Sequence, residues 1–145
     1  MKTSIPDNWP HSNDTIADIL KNHKTIAVVG LSSNPRRPSF SVTQYMQSAG
    51  YRIIPVNPNE TEVLGEKSYP RLEDVPKSHD IEIVDIFRRP ENIPPVVDSA
   101  IAIGAKVVWM QLGIENSTAA AKARAAGLFV VEDACLLIEH RLRHH

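Results

Sequence analysis

"TIAVVGL" (residues 25–31) runs directly into "SSNPRRPSF" (residues 32–40), and this junction decides how the chain is read. Thr25 to Val29 are apolar or β-branched without polar alternation, the pattern of a strand buried on both faces. Gly30 ends the run. The loop beyond it offers Ser32, Ser33, Asn34 and Ser39 as hydroxyl, amide and backbone donors, with Arg36 and Arg37 as fixed positive charge. Such donors beside a helix N-terminus form a cradle for an anion, and arginine binds phosphate in bidentate fashion. The plain alternative is a proline-stiffened turn whose arginines pair with surface carboxylates. The loop has neither the Gly-x-Gly-x-x-Gly of dinucleotide folds nor the Gly-Lys-Ser/Thr ending of a Walker loop, which weakens the common nucleotide answers.

Working outward, strand-like and helix-like runs alternate. Ile16, Ile19 and Leu20 recur at helical spacing behind candidate caps at residues 12–14 and predict a short helix ending near "KNHK". From Pro38, the spacing of Val42, Tyr45, Met46 and Ala49 predicts a helix stopped by Gly50, and "YRIIPVNP" (51–58) predicts the second strand. The proline-punctuated stretch 59–76 reads as a connection with one helical turn around Leu72 to Val75. "IEIVDIF" (81–87) is the third strand. A helix follows with Ile93, Val96, Val97, Ala100 and Ile101 in one stripe, its Pro94 and Pro95 tolerated in the first turn. "KVVWMQLG" (106–113) and "LFVVED" (128–133) are the fourth and fifth strands, around a helix in "NSTAAAKARAAG", and "ACLLIEHRL" (134–142) is the last helix, with Leu142 continuing its apolar pattern.

This alternation predicts an α/β fold: a Rossmann-like, doubly wound, parallel five-stranded sheet with helices on both faces. Residues 1–12 read as an N-terminal extension and 13–145 as a single domain. In such sheets ligands sit outside the carboxyl ends of the strands, at the point where strand order reverses.

Sixteen Lys and Arg against 17 Asp and Glu give a net charge of −1, which provides no general electrostatic case for nucleic acid or a membrane surface. The single cysteine, Cys135, excludes an intramolecular disulfide, and no apolar stretch approaches spanning length. The first residues lack the apolar core of a secretory signal, so a soluble cytoplasmic protein is the expectation.

The strand ends say more together than singly. A site for a nicotinamide dinucleotide places an acid at the end of the second strand for the ribose hydroxyls, yet Val56, Asn57 and Pro58 stand there. Phe87 can pack on a flat base, and Arg88 and Arg89 can reach a phosphate; a structural Phe with two solvated arginines is the ordinary alternative.

The ordered set "VVGLSSNPRRPSFSV", "GYRIIPVNPNE", "VLGEKSYPRLEDVP", "DIFRRPENIP" and "IGAKVVWMQLGI" resembles the small bacterial CoA-binding protein family, related to the CoA-binding domain of the succinyl-CoA synthetase alpha subunit. The likeness runs from about Lys24 to the end of the chain. It implies CoA or acyl-CoA as ligand, with Gly30, Ser32, Ser33, Arg37 and Ser39 lining a phosphate loop. It further implies Val56 and Pro58 beside adenine and ribose, Phe87 and Arg88 flanking the nucleotide, and Gln111 near the mouth where the pantetheine arm emerges. CoA carries a pyrophosphate, a 3'-phosphate and a flat adenine, which suits amides, arginines and an apolar wall and needs no carboxylate beside its phosphorylated ribose. Relatives carry Asp-Arg-Cys followed by Lys-Ile-Glu where this chain reads "EDACLLIEH", so Ala134 and Leu137 replace basic residues.

The synthetases so resembled work with a further domain bearing a phosphorylated histidine and with a partner subunit, for which 145 residues have no room. His11, His23, His79, His140, His144 and His145 all read as surface residues, and no metal site is expected. Cys135 is the one candidate nucleophile, near a helix start where a thiolate is stabilised, or else a small buried hydrophobe. A mixed disulfide between Cys135 and CoA is a redox variant of the same idea. Asp133 reads as a cap for the last helix. Asp85, at a strand end, reads as a ligand-orienting group, a cap or the partner of an arginine. The expectation is a non-catalytic binder of CoA or acyl-CoA, with a protein partner left open. The alternative is a nucleotide-dependent enzyme, either an NAD(P) oxidoreductase or an acyl transferase using Cys135.

Overall fold

The structure, a computed structural model, describes residues 2–4 by their backbone and residues 14–144 in full. The five expected parallel strands are β2 (Thr25–Val29), β3 (Arg52–Val56), β6 (Ile83–Ile86), β7 (Val107–Met110) and β8 (Phe129–Glu132). Their order across the sheet is β3-β2-β6-β7-β8, so the chain winds one way from β2 and then the other. A sixth strand, β1 (Lys2–Ser4), pairs antiparallel with β8 along the far edge. It falls within the stretch read as an extension, where three residues carry too little pattern to announce a strand.

The strands are apolar because both faces are covered. On one face lie α3 (Ile93–Ala102) and α4 (Ser117–Ala125), whose Ile93, Val97, Ala100, Ala119, Ala120 and Ala123 pack on Ala27, Val84, Val108 and Val130. On the other lie α1 (Thr15–Asn22), α2 (Pro38–Ser48) and α5 (Leu136–Arg143), which bring Ile16, Ile19, Leu20, Val42, Met46 and Leu136 onto Ile26, Val28, Ile83, Trp109 and Val131. Alternate residues of each strand thus feed two separate cores. Pro55 sits within β3, the edge strand of the sheet among the described residues, its outer side met by an isolated bridge at Tyr69, and an edge is where a missing N–H is tolerated.

Between β3 and β6 the chain forms a small hairpin, β4 (Glu62–Val63) and β5 (Glu66–Lys67), and a 3-10 turn at Leu72–Asp74 that the sequence had indicated. α1 begins at Asp14, whose carboxylate accepts from the Ala17 amide at 3.0 Å. At the other end of the chain, the pattern of α5 runs out before Leu142, which is 62% exposed and adds nothing to the core.

Candidate functional site

Strand order reverses between β2 and β6, so their carboxyl ends, Val29-Gly30 and Ile86-Phe87, open the crevice in which a sheet of this winding places its ligand. Gly30 holds φ = +90°, and a Cβ there would run into the Phe87 carbonyl oxygen while standing 3.5 Å from Arg88 Nε. Only glycine permits both that backbone angle and that approach. The first loop is therefore drawn tight against the third strand's end.

Beyond Gly30 the loop is braced from within. The Ser32 amide donates to Ser39 Oγ at 3.1 Å, the Asn34 amide to Ser32 Oγ at 3.0 Å, and the Arg36 amide to Asn34 Oδ1 at 3.0 Å. Ser39 is buried, so its part is to fasten the loop to α2. Arg37 is the N-cap of α2 and supplies no side-chain oxygen, which leaves the positive end of the helix uncapped toward the crevice. Arg36 and Arg37 are exposed, Arg88 is half-buried, and none of the three forms an ion pair among the described residues.

Two clefts flank this loop. One, of about 330 Å³, is lined by Gly30, Ser32, Arg37, Pro38, Ser39 and Phe87. The other, of about 260 Å³, has an apolar wall that includes Val29, Val56, Pro58, Leu72 and Val96, with Arg88, Arg71, Glu73 and Ser99 as its polar lining. The first brings together donors and charge; the second is mainly apolar, with charged side chains of both signs at its edge. Phe87 and Arg88, adjacent in sequence just beyond the end of β6, thus line different clefts.

Two expected residues are used differently. Asn57 is buried; its amide nitrogen donates to the Leu31 carbonyl at 3.0 Å and its oxygen accepts from the Asn59 amide at 2.9 Å. It ties the loop after β3 to the loop after β2, donating and accepting at once, which a carboxylate in its place cannot do. Gln111, expected at an open mouth, is 2% exposed and donates to Asp85 Oδ1 at 2.7 Å. Asp85 itself neither caps nor meets an arginine: it is fully buried within β6, beside Val28 and Trp109. Burial pushes its carboxyl up to about 8, against the opposing pull of the Gln111 bond. Its Oδ2 and the buried Thr43 hydroxyl have no hydrogen-bond partner among the described residues.

The remaining candidates also find their places. Cys135 is half-buried at the N-cap of α5, packed against the second core. Asp133 does not cap that helix; its carboxylate accepts from the Gly113 amide at 2.7 Å. Ala134, in place of a basic residue, is buried with its carbonyl accepting from Trp109 Nε1 at 2.8 Å, so the rim there is closed rather than charged. His140 is not on the surface: it is buried, 2.7 Å from the Tyr45 hydroxyl, and burial lowers its pKa. His11 and His145 lie outside the described residues. No group of three metal-binding side chains exists among the described residues.

Sequence reading missed Glu60. Its carboxylate accepts from the Ser33 amide at 2.8 Å, reaching the phosphate-type loop from beyond the end of β3. No local pattern marks such a contact.

The comparisons agree with this geometry. A family model described as a CoA binding domain matches residues 24–141. An uncharacterised Bacillus subtilis protein, YneT, is 41% identical over 129 residues, which cover 89% of this chain and 94% of its own. A solved structure of a hypothetical protein from Pyrococcus horikoshii is 40% identical, superposes with a TM-score of 0.86 and covers 98% of both chains. Part of an ADP-forming acetate–CoA ligase of Archaeoglobus fulgidus is 34% identical over 87 residues, 57% of this chain but 12% of that enzyme. With the match spanning every strand end that forms the crevice, the chain belongs to the CoA-binding domain family.

Proposed function

We propose that the protein binds CoA or an acyl-CoA at this crevice and performs no chemistry on it by itself. The observation that carries the reading is the loop after β2. Gly30 brings it against Phe87, the uncapped start of α2 faces the cleft, and Arg37 lines that cleft without an ion-pair partner among the described residues. A pyrophosphate fits such a donor set by charge. The adenine ring then has the apolar wall of Val56, Pro58 and Leu72, with Arg88 within reach of a phosphate on the ribose. Ser32, Ser33, Asn34 and Arg36 shape the loop, Asn57 fixes it, and Gln111 supports the floor through Asp85 rather than standing at the opening.

Catalysis is a poor match to the side chains near the crevice. Among the described residues no base is hydrogen-bonded to the Cys135 thiol, and the carboxyl whose pKa is strongly raised, Asp85, is fully buried. A partner protein that takes CoA from the site, or reads its occupancy, is consistent with the same domain forming part of a longer ligase.

Calorimetric titration tests the reading. CoA is expected to bind and NAD to bind negligibly; comparable affinity for both overturns the assignment. Arg37→Ala is expected to weaken CoA binding roughly tenfold to a hundredfold, the worth of a charge-assisted contact, with little change in melting temperature. Dephospho-CoA is expected to bind more weakly than CoA, and equal binding removes Arg88 from the 3'-phosphate. Steady release of thiol from acetyl-CoA, abolished by Cys135→Ala, contradicts the non-catalytic reading.

A further inference from the structure

The loop amides are not equivalent. Those of Ser32, Asn34, Arg36 and Arg37 are met by neutral oxygens belonging to the loop or to the start of α2. That of Ser33 is met by an anion from another element, the Glu60 carboxylate at 2.8 Å. Glu60 is itself held in place: its own amide donates to the Asn57 carbonyl at 3.2 Å, within the turn that Asn57 anchors to Leu31. Ser33 is exposed and Glu60 half-buried, so the contact lies open to an arriving ligand.

We propose that Glu60 is an internal competitor anion that sets which ligands the loop accepts. It occupies the Ser33 N–H that an incoming phosphate needs, and a ligand settles fully on the loop only by displacing it. A carboxylate carries one charge and is tethered; a pyrophosphate group carries more charge and brings several acceptor oxygens, so it wins the exchange. A singly charged ligand, offering the amide no more than Glu60 already does, gains little. The displaced side chain lies two residues before β4, so occupancy of the loop also frees that hairpin's entry from the loop after β2. The inference deepens the CoA reading by naming a residue that tunes the same loop, but it concerns the loop's response to phosphates and survives if the nucleotide is a different one.

The test compares wild type with Glu60→Gln, using CoA, inorganic pyrophosphate and adenosine as probes, with each amide followed by NMR. The exchange removes the charge and keeps the shape, and because the contact is exposed the fold is expected to melt within a degree or two of wild type. CoA and pyrophosphate are expected to bind roughly three- to tenfold more tightly to the variant, with the Ser33 amide signal moving at the same midpoint as binding. Adenosine, which has no phosphate for the loop, is expected to show no gain. Unchanged or weaker phosphate binding overturns the proposal and makes Glu60 a brace or a direct ligand contact. An equal gain for adenosine, or a Ser33 amide that responds to no phosphate in either protein, overturns it as well. Wild type that binds pyrophosphate but not CoA, with the gain intact, removes the CoA reading and leaves Glu60's role standing.

Discussion

Asn57 carries the clearest argument at the scale of one residue. An acid at the end of the second strand would mark a ribose-binding site, and its absence in the sequence pointed away from a nicotinamide dinucleotide. The structure supplies a separate reason for the amide: it donates to Leu31 and accepts from Asn59 from a buried position. A carboxylate would set a second acceptor against the Leu31 carbonyl and leave it without a donor. Asn57→Asp is therefore expected to cost about 1–3 kcal/mol, seen as a fall of roughly 3–10 °C in melting temperature, and to loosen the loop it holds. A variant as stable as wild type would mean that the side chain can turn to solvent. The residues that sequence could not place share one property. Gln111 meets Asp85 across 26 positions, Ser33 meets Glu60 across 27 and Tyr45 meets His140 across 95. Such pairs leave no periodic trace along the chain, whereas Gly30, whose neighbours in sequence already show a strand ending in a loop, was legible at once.

At the scale of elements, most of the architecture could be read because each strand is a short apolar run and each long helix a stripe with a stop signal. The hairpin β4–β5 and the edge strand β1 escaped, being two or three residues long. How α1 and α5 are joined was equally hidden. Arg143, near the end of α5, reaches Asp14 at the cap of α1 at 2.8 and 3.0 Å, and also the Glu139 carboxylate at 3.0 Å. The guanidinium holds the Asp14 carboxyl below its ordinary value of 3.8. Because the Asp14 side chain is 43% exposed, solvent screens the pair, and Arg143→Gln is expected to cost only about 1 kcal/mol. A depressed folded pKa gives stability that is present above 3.8 and lost as pH falls through the folded value. The gap between wild type and Arg143→Gln in chemical denaturation is therefore expected to hold from pH 5 to 8 and to close in stronger acid. A gap that persists at pH 2 would assign the effect to packing of the arginine stem.

For the whole molecule, two buried groups pull stability in opposite directions with pH. His140 has its pKa lowered by burial, so below its ordinary value of 6.5 the unfolded chain takes up a proton that the folded chain resists, and acid destabilises. Asp85 has its pKa raised from 3.8 to about 8, so between those values the unfolded chain loses a proton that the folded chain keeps, and rising pH destabilises. Near 6.5 and below the two slopes oppose each other; well above it His140 is neutral in both states and the Asp85 slope remains. Wild-type stability is thus expected to decline between about pH 6.5 and 8, by at most roughly 1.4 kcal/mol per pH unit. Asp85→Asn separates the contributions: the asparagine oxygen still accepts from Gln111, and nothing at the position can ionise. The variant is expected to match or exceed wild type at neutral pH, with an advantage that widens from pH 5 to 8 in denaturant titrations. A constant difference across that range would mean that Asp85 is ionised in the folded protein, in a sheet where its Oδ2 has no hydrogen-bond partner among the described residues. A widening one identifies a neutral carboxyl at the centre of the sheet, holding Gln111 beneath the crevice at the expense of alkaline stability.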